Sequence, residues 1–166
     1  MRKNTDRLDQ LRRLLILDTS VEKAYDDITQ LLSASLEVPI AMINFIDSER
    51  DWFKSCVGLP FNESPSVTSF CETFFRGAQD VIVVEDTTQS ELFRQHPLVV
   101  NEPHIRFYAA ARLVVNGQIL GTLCAYDTRP RLISSEQIDQ LKALTQAVVE
   151  LLQSRLKALR DPEPIG

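Results

Sequence analysis

Glycine is scarce in this chain, five residues in 166, and the scarcity excludes whole classes of chemistry. No glycine-rich loop is present to cradle a nucleotide phosphate, and no nucleophile elbow places a serine beside a histidine and an acid. Histidine is scarcer still. His96 and His104 are the two present; each adjoins a proline, and their spacing fits no standard metal motif, so they read as exposed loop residues and not as ligands. Three cysteines, Cys56, Cys71 and Cys124, are an odd count at irregular intervals, which fits reduced thiols and not a disulfide framework. No apolar run approaches the roughly 18 residues that a membrane span needs, and the polar opening MRKNTDRLDQ is not a signal peptide. Positive charge is also in deficit. Lysine and arginine number 18 against 23 acidic residues, a formal charge of −5, which argues against a general nucleic-acid binder. The expectation is a cytoplasmic protein with neither a membrane nor a nucleic-acid partner.

What is present is an ordinary globular composition, 44% hydrophobic and 25% charged, long enough for one domain with a substantial core. Residues 1–160 are expected to form that domain, and 161–166 a flexible tail. Leu8, Leu11, Leu14 and Leu15 make one apolar stripe and predict a helix over about 6–17. Thr19 and Glu22 read as a capping box opening a second helix that runs to about 36. Two strands follow, IAMINFID and DWFKSCV, joined through 47–50. Ser69 and Glu72 repeat the capping-box pattern before a short helix, FCETFFR. A strand, VIVVED, and an irregular stretch lead to 105–130, the most informative segment. It reads as two strands joined by Asn116-Gly117, a dipeptide that accepts both positive φ angles of a type I′ turn. Ser134 and Gln137 then cap a last helix reaching about 159. Strands joined by short turns pair antiparallel, so the fold class is α+β.

In order along the chain, several pieces resemble GAF domains, in particular the bacterial sensory subgroup found ahead of diguanylate cyclases and histidine kinases. They are Leu17-Asp18-Thr19; Ala41 to Asp47 with Trp52-Phe53-Lys54-Ser55 and Gly58-Leu59; Ser69-Phe70-Cys71; Val84-Glu85-Asp86; Pro97-Leu98-Val99; Ile105 to Ala109; and Leu120 to Asp127 with Pro130-Arg131. Together they span roughly residues 8–155. The resemblance implies a GAF/PAS-like antiparallel sheet of five or six strands. Terminal helices would cover one face, and short helices and loops would enclose a small-ligand pocket on the other. It implies a regulatory module and leaves the ligand or cofactor unknown. After the RFYA strand this chain has Ala110-Ala111-Arg112 where the family usually has a Gly-Ala-Pro-like step. One branch of the family reduces free methionine sulfoxide with cysteines. Cys71 matches its first cysteine, but Glu72 replaces the glycine that follows, and His104-Ile105-Arg106-Phe107 lacks the second. No cysteine precedes a histidine, as covalent bilin attachment would require.

Alternation over 105–115 places Ile105, Phe107, Ala109, Ala111 and Leu113 on one face, and Arg106, Tyr108, Ala110 and Arg112 on the other, which is assigned to the pocket. There Arg106 could clamp an anion and Tyr108 could stack on a ligand or hydrogen-bond to it; Asp86, Phe70, Cys71 and Thr122 complete the candidate ligand-binding set. The competing reading of Arg106 is an internal ion pair with Asp86 or Asp127. Cys71, at the start of its short helix, is a candidate reactive thiol, so a thiol-based redox sensor or small redox enzyme is one alternative; its bland counterpart is a buried apolar cysteine among Phe70, Phe74 and Phe75. A ligand-free dimerisation module is another. Leu141, Leu144, Val148, Leu152 and Leu159 fall at a/d-like spacing, interrupted by Arg155. That pattern points to a homodimer through the terminal helices, signalling to a separate effector. No catalytic residue is assigned, and the chain is expected not to be an enzyme.

Overall fold

The Asn116-Gly117 turn forms where the sequence places it, with φ of +51° and +77°. It joins β5 (Phe107–Val115) to β6 (Gln118–Asp127), with Val115 opposite Gln118. The other strands are β1 (Ile40–Ile46), β2 (Arg50–Val57), β3 (Glu63–Pro65) and β4 (Val81–Val84). In the computed structural model, which describes residues 1–160, they form one six-stranded sheet in the order β3-β2-β1-β6-β5-β4. Every pairing is antiparallel, so the α+β class holds. The expected flexible tail, 161–166, lies outside the described residues.

One face carries the helices α1 (Thr5–Arg13), α2 (Lys23–Leu36) and α4 (Ser135–Arg160). Leu11, Leu14, Leu32, Leu141, Val148 and Leu152 bury against Phe45, Trp52, Phe107, Leu113 and Leu123 of the sheet. The other face is covered by 3₁₀ turns, long loops and the single-turn helix α3 (Pro97–Val100), over Met42, Phe53, Tyr108, Ala110 and Tyr126. Among the described residues no helix is long and apolar enough to cross a membrane.

Several helix boundaries differ from the sequence reading, and each has a cause. α1 ends at Arg13, because Leu15 and Asp18 take left-handed φ of 50° and 62° and turn the chain back. α2 starts after Glu22, without a side-chain cap. The Thr19–Glu22 box does not form because both residues serve Lys54, whose side chain is wholly buried. Its ammonium donates to Thr19 Oγ1 at 2.9 Å and to the Ser20 carbonyl at 2.6 Å, and pairs with Glu22 at 2.6 Å. The Ser69–Glu72 box fails likewise. Glu72 pairs with Arg2 at 2.5 Å, and the segment is a 3₁₀ turn, Cys71–Arg76. Only the Ser134–Gln137 box forms: Gln137 N donates to Ser134 Oγ at 3.1 Å, and Ser134 N donates to Gln137 Oε1 at 3.0 Å. β3 is an additional strand in a stretch that reads as loop. Ile105 lies on the pocket face and not with Phe107. β5 begins only at Phe107, after His104 takes a φ of +58°, so strict alternation does not extend back to it.

β1 is buried along its whole length. Its register with β2 slips between Ile43 and Asn44, leaving Lys54 as the extra residue of a bulge. On its other edge β1 meets Gly121 of β6, where a Cβ would lie 1.9 Å from the Asn44 carbonyl oxygen. That oxygen belongs to backbone held between two strands and cannot yield. Gly121→Ala should therefore destabilise the fold by about 2–3 kcal/mol in urea unfolding; a loss under about 0.5 kcal/mol would show that the strands separate freely there.

Candidate functional site

Because β1 alternates, Ile40, Met42 and Asn44 point away from the helices. With Phe53 of β2 and Tyr126 of β6 they floor a cavity of about 340 Å³. Its walls come from the 59–65 segment leading into β3, from Thr68 to Phe70, and from Leu98, Pro103 and Ile105. Apolar side chains dominate, and the polar groups gather toward one end.

That end is built around Asn44 and Asp51, which are 1% and 3% exposed. Asn44 Nδ2 donates to Asp51 Oδ2 at 3.2 Å and to Cys71 Sγ at 3.4 Å. Asp51 Oδ1 accepts from Arg2 Nη2 at 2.9 Å. Arg2 also donates to the Asp47 and Arg50 carbonyls, and its own carbonyl accepts from Arg7 Nε of α1 at 3.1 Å. Burial pushes the Asp51 carboxyl above its ordinary value, and hydrogen bonds from Arg2 and Asn44 only partly offset that. The Ser69 hydroxyl at the cavity wall is buried with no hydrogen-bond partner. Asn44 Oδ1 is buried with no hydrogen-bond partner.

Behind the cavity Cys71, which has no exposed surface, joins a polar cluster. Its sulfur lies 3.0 Å from Thr122 Oγ1 and 3.3 Å from Tyr108 Oη. Burial raises the Cys71 thiol, while hydrogen bonds from Cys124, Thr122 and Tyr108 act the other way and leave it below the ordinary thiol value. Cys124 is raised well above it, first by burial. Phe70, at the cavity wall, stacks on His96 at 4.1 Å and on Phe93 at 5.0 Å.

The six sequence-predicted site residues therefore divide. Phe70 lines the cavity. Cys71, Tyr108 and Thr122 come together just behind it, joined to it through Asn44. Arg106 and Asp86 are not among its lining residues. The Arg106 guanidinium donates to the Val99 carbonyl at 2.9 Å, at the end of α3. Asp86 caps the turn Thr87–Gln89 through Thr88. Neither of the ion pairs envisaged for Arg106 forms, since Asp127 pairs with Arg131. His104 lies 3.6 Å from Glu102, and among the described residues no group of three or more His, Cys, Asp or Glu could hold a metal ion. Sequence reasoning missed Asn44, Asp51 and Arg2. For Asn44 the signal was visible: it is the one polar residue in IAMINFI, in phase with Ile40 and Met42.

The chain is similar to known proteins along most of its length. The sequence model described as the GAF domain matches residues 20–152. A cyclic di-GMP phosphodiesterase of Pseudomonas aeruginosa is 33% identical over 159 residues, covering 93% of this chain and 26% of that protein, so the chain spans about a quarter of its length. Among solved structures, the GAF domain of an Acinetobacter phosphoenolpyruvate-protein phosphotransferase superposes with a TM-score of 0.63 at 15% identity, over 91% of this chain and 95% of that one. A free methionine-R-sulfoxide reductase from Neisseria meningitidis, solved with its substrate, gives 0.61 at 14% identity, over 92% and 88%. At these identities the structural likeness is one of fold.

His96 gives the cavity wall a pH dependence. Its Nδ1 accepts from Leu98 N at 3.1 Å to cap α3, and burial lowers its pKa below 6.5. The unfolded chain therefore takes up the proton first, so this contribution is intact above about 6.5 and is lost as pH falls toward the lower folded value. His96→Asn keeps a capping acceptor that does not titrate. In urea unfolding the wild type should lose stability relative to His96→Asn as pH falls below about 6.5; parallel pH profiles would show that the ring titrates normally.

Proposed function

The chain belongs to the GAF domain family, and from that premise we propose a sensory module that takes a small molecule into the Asn44 cavity and passes the change to its terminal helices. One observation carries this reading. The polar end of an otherwise apolar cavity is tied through the 2.9 Å Asp51–Arg2 pair to the segment that leads into α1. Arg2 in turn holds Arg7 of α1 through its main-chain carbonyl, so a molecule seated against Asn44 and Asp51 acts on groups continuous with that helix. A ligand shifts such an equilibrium only by binding one arrangement more tightly than the other.

The helical end has its own support. Arg155 of α4 donates to the Leu14 carbonyl at 2.6 Å and to the Leu15 carbonyl at 2.7 Å, so α4 is tied to the turn that follows α1. Leu15 is 64% exposed, and Leu159, one turn beyond Arg155, is 44% exposed. We read these as part of a homodimer contact in a cytoplasmic protein, where Cys56, Cys71 and Cys124 stay free. The output is a partner domain or protein, and the likeness to a cyclic di-GMP phosphodiesterase supports cyclic-dinucleotide turnover as that output. In this reading the module itself does no chemistry; the Cys71 sulfur has no exposed surface from which to react.

Two measurements test this. Native mass spectrometry of protein purified without added ligand should show a bound small molecule, and Leu98→Trp, which fills the cavity from a half-buried wall, should lose it. The same bound mass in both proteins would put the ligand elsewhere. Sedimentation should show a dimer that the double variant Leu15→Glu, Leu159→Glu converts to monomer; an unchanged dimer would exclude this contact.

A further inference from the structure

Resting on the ligand-binding reading above, we infer that the cavity takes an uncharged, aromatic molecule carrying an N–H or O–H donor, and rejects ligands that bear phosphate or carboxylate. The first argument is the amide of Asn44. It is 1% exposed and lines the cavity, and its Oδ1 has no partner. Its orientation is fixed by chemistry: Nδ2 faces the Asp51 carboxylate at 3.2 Å, and the reversed amide would set oxygen against oxygen. A buried acceptor without a partner is unfavourable, and a donor on the ligand removes that penalty.

Charge supplies the second argument. The titratable carboxylic acids lining the cavity are Asp51 and Glu63, and no Lys, Arg or His is among the lining residues. The two arginines paired with these acids are both engaged: Arg2 through Nε with Glu72, Nη1 with two carbonyls and Nη2 with Asp51, and Arg50 with Glu63, Asp18 and Asp47. An anion would enter beside carboxylates with no free cation to meet it. A cation gains little either, because Asp51 is already paired and the remaining wall is apolar. The third argument is shape. Phe53, Phe70 and Tyr126 present ring surfaces, with Phe61 tilted against Phe53 at 6.3 Å. The volume of about 340 Å³ sits near the lower end of the roughly 300–1,000 Å³ usual for small-molecule sites.

The test uses the full chain and isosteric probes. Calorimetric titration would compare indole with benzofuran, which lacks the N–H, and indole-3-carboxamide with indole-3-carboxylate, with cyclic di-GMP as a large anion; Leu98→Trp identifies cavity binding. Indole should bind about tenfold more tightly than benzofuran, the carboxamide should bind where the carboxylate does not, and cyclic di-GMP should not compete. Asn44→Leu should erase the indole preference; should that variant not fold, the probe pairs on the wild type decide alone. Equal affinity for indole and benzofuran, or any anion binding in the cavity as tightly as its neutral partner, overturns the inferred class while leaving the cavity a ligand site. Failure of every probe at millimolar concentration overturns both the class and the ligand-binding reading.

Discussion

The central strand β1 is buried on both faces, and most of the structure follows from that constraint. With helices on one side and loops on the other, every side chain from Ile40 to Ile46 is shut off from water. A polar residue there has to be matched from within, because an unmatched buried dipole is costly. The neighbouring strand β2 meets the same demand on its helix side. The bulge at Lys54 sends an ammonium inward, and the α1–α2 connection closes over it with a hydroxyl, a carbonyl and the Glu22 carboxylate. Ser55 beside it bonds Thr29 at 2.7 Å and Asp26 at 2.6 Å. Removing one partner of such a group is worse than never having the pair, since a buried charge is left alone.

The two faces of the sheet meet this demand differently. On the helix side Lys54 and Ser55 of β2 have both found partners. On the pocket side the matching is incomplete: Asn44 Oδ1, Ser69 Oγ and His96 Nε2 are buried without partners. The pocket side is also where the covering elements are 3₁₀ turns and a single-turn helix, held by side-chain caps such as His96 and by Arg106 on the Val99 carbonyl. Short elements of this kind contribute little cooperative stability of their own. An incomplete polar match under a lightly built cover is what a site for a passing molecule requires.

How far the sequence foretold this depended on the distance over which each signal acts. The Asn116-Gly117 turn and the Ser134–Gln137 box are complete within a few residues, so the chain itself carries both partners. The Thr19–Glu22 and Ser69–Glu72 patterns look identical on paper, yet their acids are captured by Lys54 and Arg2, 32 and 70 residues away. Nothing local competes with a buried cation for a carboxylate. The α+β class was legible because strands follow from alternation and short turns, and helices from apolar stripes. A sheet of five or six strands with the terminal helices on one face was what the GAF resemblance implied. A pocket on the other face was implied by the same resemblance. Most of its lining was not legible, because it is the space left between segments far apart in sequence, and residues that read as functional by type, Arg106 and Asp86, close off helix and turn ends instead.

Asp51 is the point at which these two logics join. One of its oxygens holds Arg2, the other takes the Asn44 amide, and the same Asn44 amide reaches Cys71 and through it Tyr108 and Thr122. Hydrogen bonds arranged in series polarise one another, so the N-terminal strap, the cavity wall and the cluster behind it form one electrostatic unit. A change at the free end of that series, Asn44 Oδ1, is felt at Asp51 without any backbone having to move first. The orphan acceptor and the Arg2 strap are thus two ends of one arrangement, and the structure leaves open only the end that faces the cavity.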